Sequence, residues 1–271
     1  MTARPAAGGG RWVTVAPERV ERWAGGFAAR HGGAEAISTP DLVRLTAADG
    51  AVAELHVPFP PLALAEALEQ AAGQDSERGP YGAAIRALEP EGGARRGLAR
   101  GAEQGAGHGA GAGTEHSEVA LGDPVAALAA HARRDRLVGV LLVRLGGHAA
   151  GVFDGERLVA SKVGSRQVHG RSAAGGWSQQ RFARRREKQS AEALEAAADV
   201  AARVLLPYAG ELEAVVLGGD RRAIDGVRRD RRLAPLLALE RPPFLTVPDP
   251  RLAVLREAPA TFRAVRVRVV G

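Results

Sequence analysis

The sequence predicts an α/β protein: a mixed sheet with covering helices over residues 122–271, preceded by a small α+β unit at 1–72 and a disordered Gly/Ala-rich linker at 73–121. Three observations carry this reading. Between Leu137 and Val163 three apolar segments follow one another across joints of two or three residues, which makes them antiparallel neighbours. After Gly176 a long 3.6-residue periodicity gives way to short apolar runs separated by helical stretches, the pattern of a sheet covered by helices. Between 73 and 121 large apolar residues almost vanish, and repeats such as Gly105 to Gly113 cannot bury enough surface to offset about 1–2 kcal/mol of ordering entropy per residue.

The first unit starts with alternation at Val13 and Val15, then Pro17 in a position suited to a first helical turn. Val20, Trp23 and Phe27 recur at helical spacing, and Gly32-Gly33 ends that helix. Leu42 to Ala48 and Ala51 to Val57 flank Asp49-Gly50, which predicts a hairpin with a type I′ turn. Leu64 to Ala71 predicts a further short helix, and a local helix at Tyr81 to Leu88 is compatible with the linker. His31 and His56 have no partner at metal-ligand spacing and read as structural or surface residues.

The second unit opens at Asp123-Pro124, an N-cap followed by a first-turn proline, with a helix to about Arg134. Strands follow at Leu137 to Leu145, His148 to Phe153 and Arg157 to Val163. A glycine-rich stretch leads to a helix from about Gln179 to Leu206, stopped by Pro207. Leu212 to Leu217 predicts a buried strand, Arg221 to Asp230 a helix, and Phe244 to Val247 and Ala264 to Val269 two more strands. Three antiparallel strands followed by helix, strand, helix and strand is the order of ribonuclease H-like folds, an analogy of architecture.

Composition narrows the function classes. The chain has 271 residues, no cysteine, and apolar runs far shorter than the roughly 20 residues of a membrane span. Disulfides, thiolate catalysis and cysteine-ligated zinc are excluded. The first ten residues lack the apolar core of a secretory signal, so the expected location is the cytoplasm and the expected state a monomer with no membrane partner. A pI near 10.7 and a net charge of +6 favour an anionic partner, nucleic acid first, although the arginine bias is also what GC-rich coding produces.

The strongest functional signal is residues 164–188. Gly164, Gly170, Gly175 and Gly176 punctuate a loop with no apolar pattern, of a length that is usually functional or disordered. Doubled back, such a loop reaches about 20 Å into a partner's cleft. Gln167 and His169 lie near its tip, with Arg166 and Arg171 beside them to meet phosphate. On the following helix Arg181, Arg184, Arg185 and Lys188 fall within about 100° of one another, opposite Leu194, Ala197, Ala201, Val204 and Leu205. Cations in the first turns oppose the helix dipole by about 0.3–1 kcal/mol each, so stability does not explain them and phosphate binding does. A solvated charged face is the other reading.

The run Gly-Ser-Arg-x-x-x-Gly-Arg-x-Ala-Ala-Gly-Gly-Trp-Ser-Gln-Gln-Arg-Phe-Ala-Arg-Arg-Arg, from Gly164 to Arg186, resembles the actinobacterial VLRF-type release factors, bacterial relatives of the Vms/ANKZF peptidyl-tRNA hydrolases. The resemblance covers roughly residues 123–271 and is most specific from Gly175 to Arg186. It implies a ribonuclease H-like domain shared with eukaryotic and archaeal class I termination factors. It implies hydrolysis of peptidyl-tRNA on stalled large ribosomal subunits, with a loop glutamine positioning water and no cofactor or metal. Gly175, Gly176, Trp177, Ser178, Gln179, Gln180 and Arg186 join the arginines and Lys188 as implied contacts to tRNA and large-subunit RNA. Bacterial members often carry Tyr-Val-Gln between Gly-Ser-Arg and Gly-Arg, where this chain has Gln167-Val168-His169. Gln167 and His169 are therefore both candidates for the working position.

Other chemistries fare worse. No phosphate-binding Gly-x-x-x-x-Gly-Lys-Ser/Thr, His-Glu-x-x-His or dinucleotide fingerprint is present. A two-metal nuclease would use Asp154, Glu156, Asp220 and Asp225, but the first two sit in a predicted hairpin turn and Gly218-Gly219-Asp220 reads as a strand-to-helix turn and cap. A non-catalytic RNA- or ribosome-binding protein using the same basic helix is the rival from another class.

Overall fold

The computed structural model describes residues 4–5, 9–63, 122–144, 146–165 and 178–271, with side chains described at 9–63, 124–144, 146–165 and 187–271. Two sheets organise the chain. The first has six strands in the order β1-β2-β10-β5-β4-β3, and the second four in the order β8-β7-β6-β9.

In the first sheet β1 (Arg4–Pro5), β2 (Arg11–Val15), β3 (Ala34–Ser38), β4 (Leu42–Ala47) and β5 (Val52–His56) are joined by β10 (Val265–Val270) from the far end of the chain. β10 lies antiparallel between β2 and β5, with Val267 opposite both Val13 and Leu55. Helices α1 (Val20–Arg30) and α2 (Gly122–Arg133) cover one face. Val20, Ala24 and Phe27 of α1 meet Val125, Leu128 and Ala132 of α2 over Val13, Val43, Leu55 and Val267. The predicted helical spacing brings Trp23 and Phe27 into a stacked pair at 5.8 Å, and Phe27 meets His31 in a tilted contact at 4.6 Å.

The sequence groups residues 122–134 and the last strand with the C-terminal unit; in the structure β10 joins the first sheet and α2 packs on its core. The physical reason is that an alternating run such as Val265–Val270 suits any half-covered antiparallel position, and nothing in it names its neighbours. Strand β3 is also absent from the sequence reading. The Asp49-Gly50 turn differs in type: Gly50 has φ +87°, but Phe59 is the one non-glycine with positive φ among the described residues, so the turn is not type I′. Asp49 instead accepts from the Ala51 N–H at 3.0 Å and pairs with His31 Nδ1 at 2.7 Å, tying the turn to the end of α1.

The second sheet is the expected meander, β6 (Leu137–Arg144), β7 (Gly147–Asp154) and β8 (Arg157–Ser165), with β9 (Ala214–Gly219) parallel to β6. β6 and β7 are apolar on both sides because both of their faces are covered. One face carries α3 (Ser178–Leu205) and α4 (Arg221–Val227), through Ala197, Ala201, Val204, Leu205 and Ile224. The other carries α6 (Leu252–Arg256) and α7 (Pro259–Phe262), the short α5 (Ala234–Ala238) lying before them in the chain. Phe59, from the segment after β5, enters this second core and meets Phe262 edge-on at 5.9 Å, as does Phe153. The strand predicted at 244–247 is reduced to isolated parallel bridges, Gly218 to Leu245 and Val215 to Glu240. The expected helices at 64–71 and 81–88 and the linker at 73–121 lie outside the described residues.

Candidate nucleic-acid interface

One end of the second sheet gathers the chain segments that matter. β6 finishes there at Arg144, β7 begins at Gly147, β8 finishes at Ser165 opposite Gly147, and β9 finishes at Gly219 opposite Val143. The segment 166–177, outside the described residues, lies in the chain between Ser165, the last residue of β8, and Ser178, where the long helix begins.

Helix α3 overhangs the sheet. Its 28 residues span about 42 Å at about 1.5 Å per residue, against about 27 Å for the eight residues of β7. Its far end docks by Leu205 and the 3-10 turn Leu206–Tyr208 near the start of β6, where the Glu213 N–H donates to the Leu137 carbonyl at 3.0 Å. The surplus is therefore at the N-terminal end. Its first buried side chain among those described is Ala193, while Glu187 and Lys188 are exposed.

Of the sequence-predicted residues, Arg166, Gln167, His169, Arg171, Gly175, Gly176 and Trp177 lie outside the described residues. Ser178, Gln179, Gln180, Arg181, Arg184, Arg185 and Arg186 occupy the first turns of α3, where only the backbone is described, and Lys188 is exposed on the same helix. Further cations stand at the same edge. Arg144 is exposed and donates from Nη1 to the Val247 carbonyl at 2.8 Å. Arg221 and Arg222 open α4, Arg221 lying 4.3 Å over the ring of Phe244. Asp220 is occupied as the N-cap of α4, accepting from the Arg222 N–H at 2.9 Å. That is the capping role read from Gly218-Gly219-Asp220.

The two glycines before the cap are required by packing. Gly219 has φ +102°, and a Cβ there would stand 2.8 Å from the Val143 carbonyl carbon. A Cβ on Gly218 would stand 2.6 Å from the Leu245 carbonyl oxygen, because the 244–247 segment lies directly on β9. The other proposed nuclease carboxylates are dispersed: Asp154 pairs with Arg157 at 2.7 Å across its own turn, Glu156 lies 3.8 Å from Arg263, and Asp225 lies 3.8 Å from Arg228. Among the described residues no three histidines or carboxylates converge in a metal-holding group, and no helix is long and apolar enough to cross a membrane.

His148 is the residue at this edge that sequence reasoning missed. It is 6% exposed on the face that carries α3, level with Val143 on β6 and Gly164 on β8. Its ring fills the place of a Gly164 side chain, with Cε1 2.8 Å and Cδ2 3.2 Å from where a Cβ would stand. Burial holds its imidazole below the ordinary histidine range, which keeps it neutral at pH 7. The available signal was strand alternation: counting back by twos from Val152 and Ala150 puts His148 on the covered face.

Residues 136–268 match the family model described as Actinobacteria/chloroflexi VLRF1 release factor. No curated protein matches. Among solved structures, the archaeal translation termination factor aRF1 is 19% identical with a TM-score of 0.37, over 53% of this chain and 39% of that one. A second archaeal protein is 19% identical with a TM-score of 0.31, over 52% of this chain and 37% of the other. The chain thus spans less than half of either structure, and both likenesses are too slight to assign the architecture. The resemblance carried by Gly164 to Arg186 is to this same family: residues 136–268 of this chain match the model of the actinobacteria/chloroflexi VLRF1 release factors.

Proposed function

We propose that this protein is a peptidyl-tRNA hydrolase of translation rescue and ribosome quality control, a cytoplasmic monomer that frees nascent chains from tRNA on stalled large subunits. The observation that carries the reading is the family match over residues 136–268. It is supported by a helix whose arginine-rich N-terminal turns overhang the sheet and adjoin the segment 166–177. A ribonuclease H-like architecture is supported by the strand order β8-β7-β6-β9, with three antiparallel strands, a fourth parallel to the first, and Leu245 bridged to β9 where a fifth would lie.

In this mechanism Arg166, Arg171, Arg181, Arg184, Arg185, Arg186 and Lys188 hold phosphates of tRNA and ribosomal RNA, and Gly175 to Gln180 contact the same RNA. The loop enters the RNA cleft containing the ester. A water attacks the ester carbonyl, the bond to the tRNA ribose oxygen breaks, and the proton passes to that leaving oxygen through the surrounding RNA and water. Gln167 holds the water, its amide accepting and donating at once without changing charge. His169, the alternative occupant, would instead accept the proton as a general base.

Release of labelled peptide from purified stalled large subunits tests the proposal. Gln167→Ala should slow release on the order of 10²–10³-fold with near-normal ribosome binding, the size of losing one preorganised polar group. His169→Ala should cost less, and the rate should stay flat through about pH 6.5. A silent Gln167→Ala with a dead His169→Ala would transfer the role to the histidine, with a rate that falls below about pH 6.5. Tight binding without release by the parent chain would favour the non-catalytic reading, which the displacement of glutamine by two positions recommends.

A further inference from the structure

Among the described residues the first sheet is covered on one face only. α1 and α2 bury Val13, Val43, Leu55 and Val267, whereas the side chains that alternate with them face outward. The registers set these in two adjacent rows. One runs Thr14, Arg266, His56 and Leu42 across β2, β10, β5 and β4. The next runs Trp12, Arg268, Glu54, Arg44 and Ile37 across β2, β10, β5, β4 and β3.

Stability does not account for this arrangement. Arg266 and Arg268 follow each other on one face of β10, about 7 Å apart along the strand, which concentrates positive charge there. A single central carboxylate serves two of the three arginines: Glu54 meets Arg44 at 2.9 Å and Arg268 at 3.5 Å. Arg266 has no carboxylate partner among the described residues, and its guanidinium lies 4.5 Å over the ring of half-buried Trp12. His56 stands 5.1 Å from the same indole, and burial together with Arg266 keeps it below the ordinary histidine range, hence uncharged at pH 7. The face therefore offers a ladder of flat groups, imidazole, indole and an exposed guanidinium plane, framed by arginine.

We propose that this uncovered face, centred on Trp12, His56, Arg266 and Arg44, is a second RNA-binding surface that stacks unpaired bases. Base–aromatic and base–guanidinium stacking need a π-face on each partner and tolerate any base, while the arginines meet the backbone. A protein partner would need a contiguous apolar centre, and the apolar residues here are separated by charge. A duplex hides its base faces and could use the arginines alone. The inference rests on the proposed function only for the source of the RNA, a ribosome.

The test is fluorescence anisotropy of the full chain with a labelled single-stranded oligouridylate of about twelve nucleotides, against an RNA duplex of equal length. Trp12→Ala should weaken single-strand binding about tenfold and leave its salt dependence unchanged, while Trp12→Phe, which keeps a ring, retains most of the affinity. Arg44→Gln with Arg266→Gln should reduce the salt slope by about 0.7 per lost phosphate contact. The inference fails if Trp12→Ala binds within twofold of the parent, if duplex competes as well as single strand, or if Arg184→Gln with Arg185→Gln alone abolishes binding. None of those results touches peptide release. Conversely, a parent chain that releases no peptide but loses oligonucleotide affinity on Trp12→Ala would overturn the proposed function and sustain this surface.

Discussion

Replacing Gly164 with alanine should damage the fold at the root of the segment 166–177, and the size of the effect can be worked from one contact. The added Cβ would meet the His148 ring, 2.8 Å from Cε1 and 3.2 Å from Cδ2, with Nε2 nearer still. The ring has little room to yield, because it is 6% exposed and held in register between Val143 and Gly164 beneath the helix-covered face. Inserting one carbon into a filled site costs about 1–3 kcal/mol. Each kcal/mol lowers the melting temperature of a chain of this size by about 2–4 °C, so Gly164→Ala should melt about 4–8 °C below the parent near the middle of that range. Thermal and urea unfolding followed by circular dichroism would measure it. The diagnostic step is the double variant: His148→Ala alone leaves a cavity and destabilises, but combined with Gly164→Ala the new methyl occupies part of that space. The pair should be more stable than the sum of the single effects by about 1 kcal/mol or more. Simple additivity, or a Gly164→Ala protein within about 0.5 kcal/mol of the parent, would refute the argued contact.

Two other outcomes follow from the same geometry. His148, His131 and His56 all have imidazoles held below the ordinary histidine range, with burial the first cause in each. The unfolded chain takes up protons as pH falls through about 6.5 while the folded chain resists, so these groups contribute stability above that pH and lose it below. The urea midpoint should therefore fall between about pH 7.5 and 5, with a shallower fall for His148→Gln; an unchanged slope in that variant would show that His148 titrates alike in both states. Asp220→Ala removes the carboxylate that accepts from the Arg222 N–H at 2.9 Å and should destabilise by about 1 kcal/mol, whereas Asp220→Asn should be nearly neutral. Equal losses in the two variants would mean that charge, rather than the cap hydrogen bond, supplies the stabilisation.

Features that depend on residues close in the chain could be read from the sequence alone. The meander β6 to β8 follows from apolar runs joined by two or three residues, which leave antiparallel pairing as the sole solution. The bounds of α3, read as 179–206 and found at Ser178–Leu205, follow from the apolar stripe and Pro207, which cannot continue a helix. The Asp220 cap is likewise local, set by spacing of a few residues. Only the tertiary structure decided what meets across long separations. It put β10 between β2 and β5, some 250 residues from β2 in the chain, laid α2 on the first core and sent Phe59 into the second. Alternation in Val265–Val270 specifies a face but no partner, because backbone hydrogen bonds are the same for every strand and only packing selects among candidates. The same limit hid His148: an imidazole in a Gly-Gly-His-Ala-Ala run has no chemical context until β8 brings Gly164 beside it. Trp12, His56 and Arg266 lie on three strands far apart in sequence, and their shared face exists because β10 closes the sheet between them.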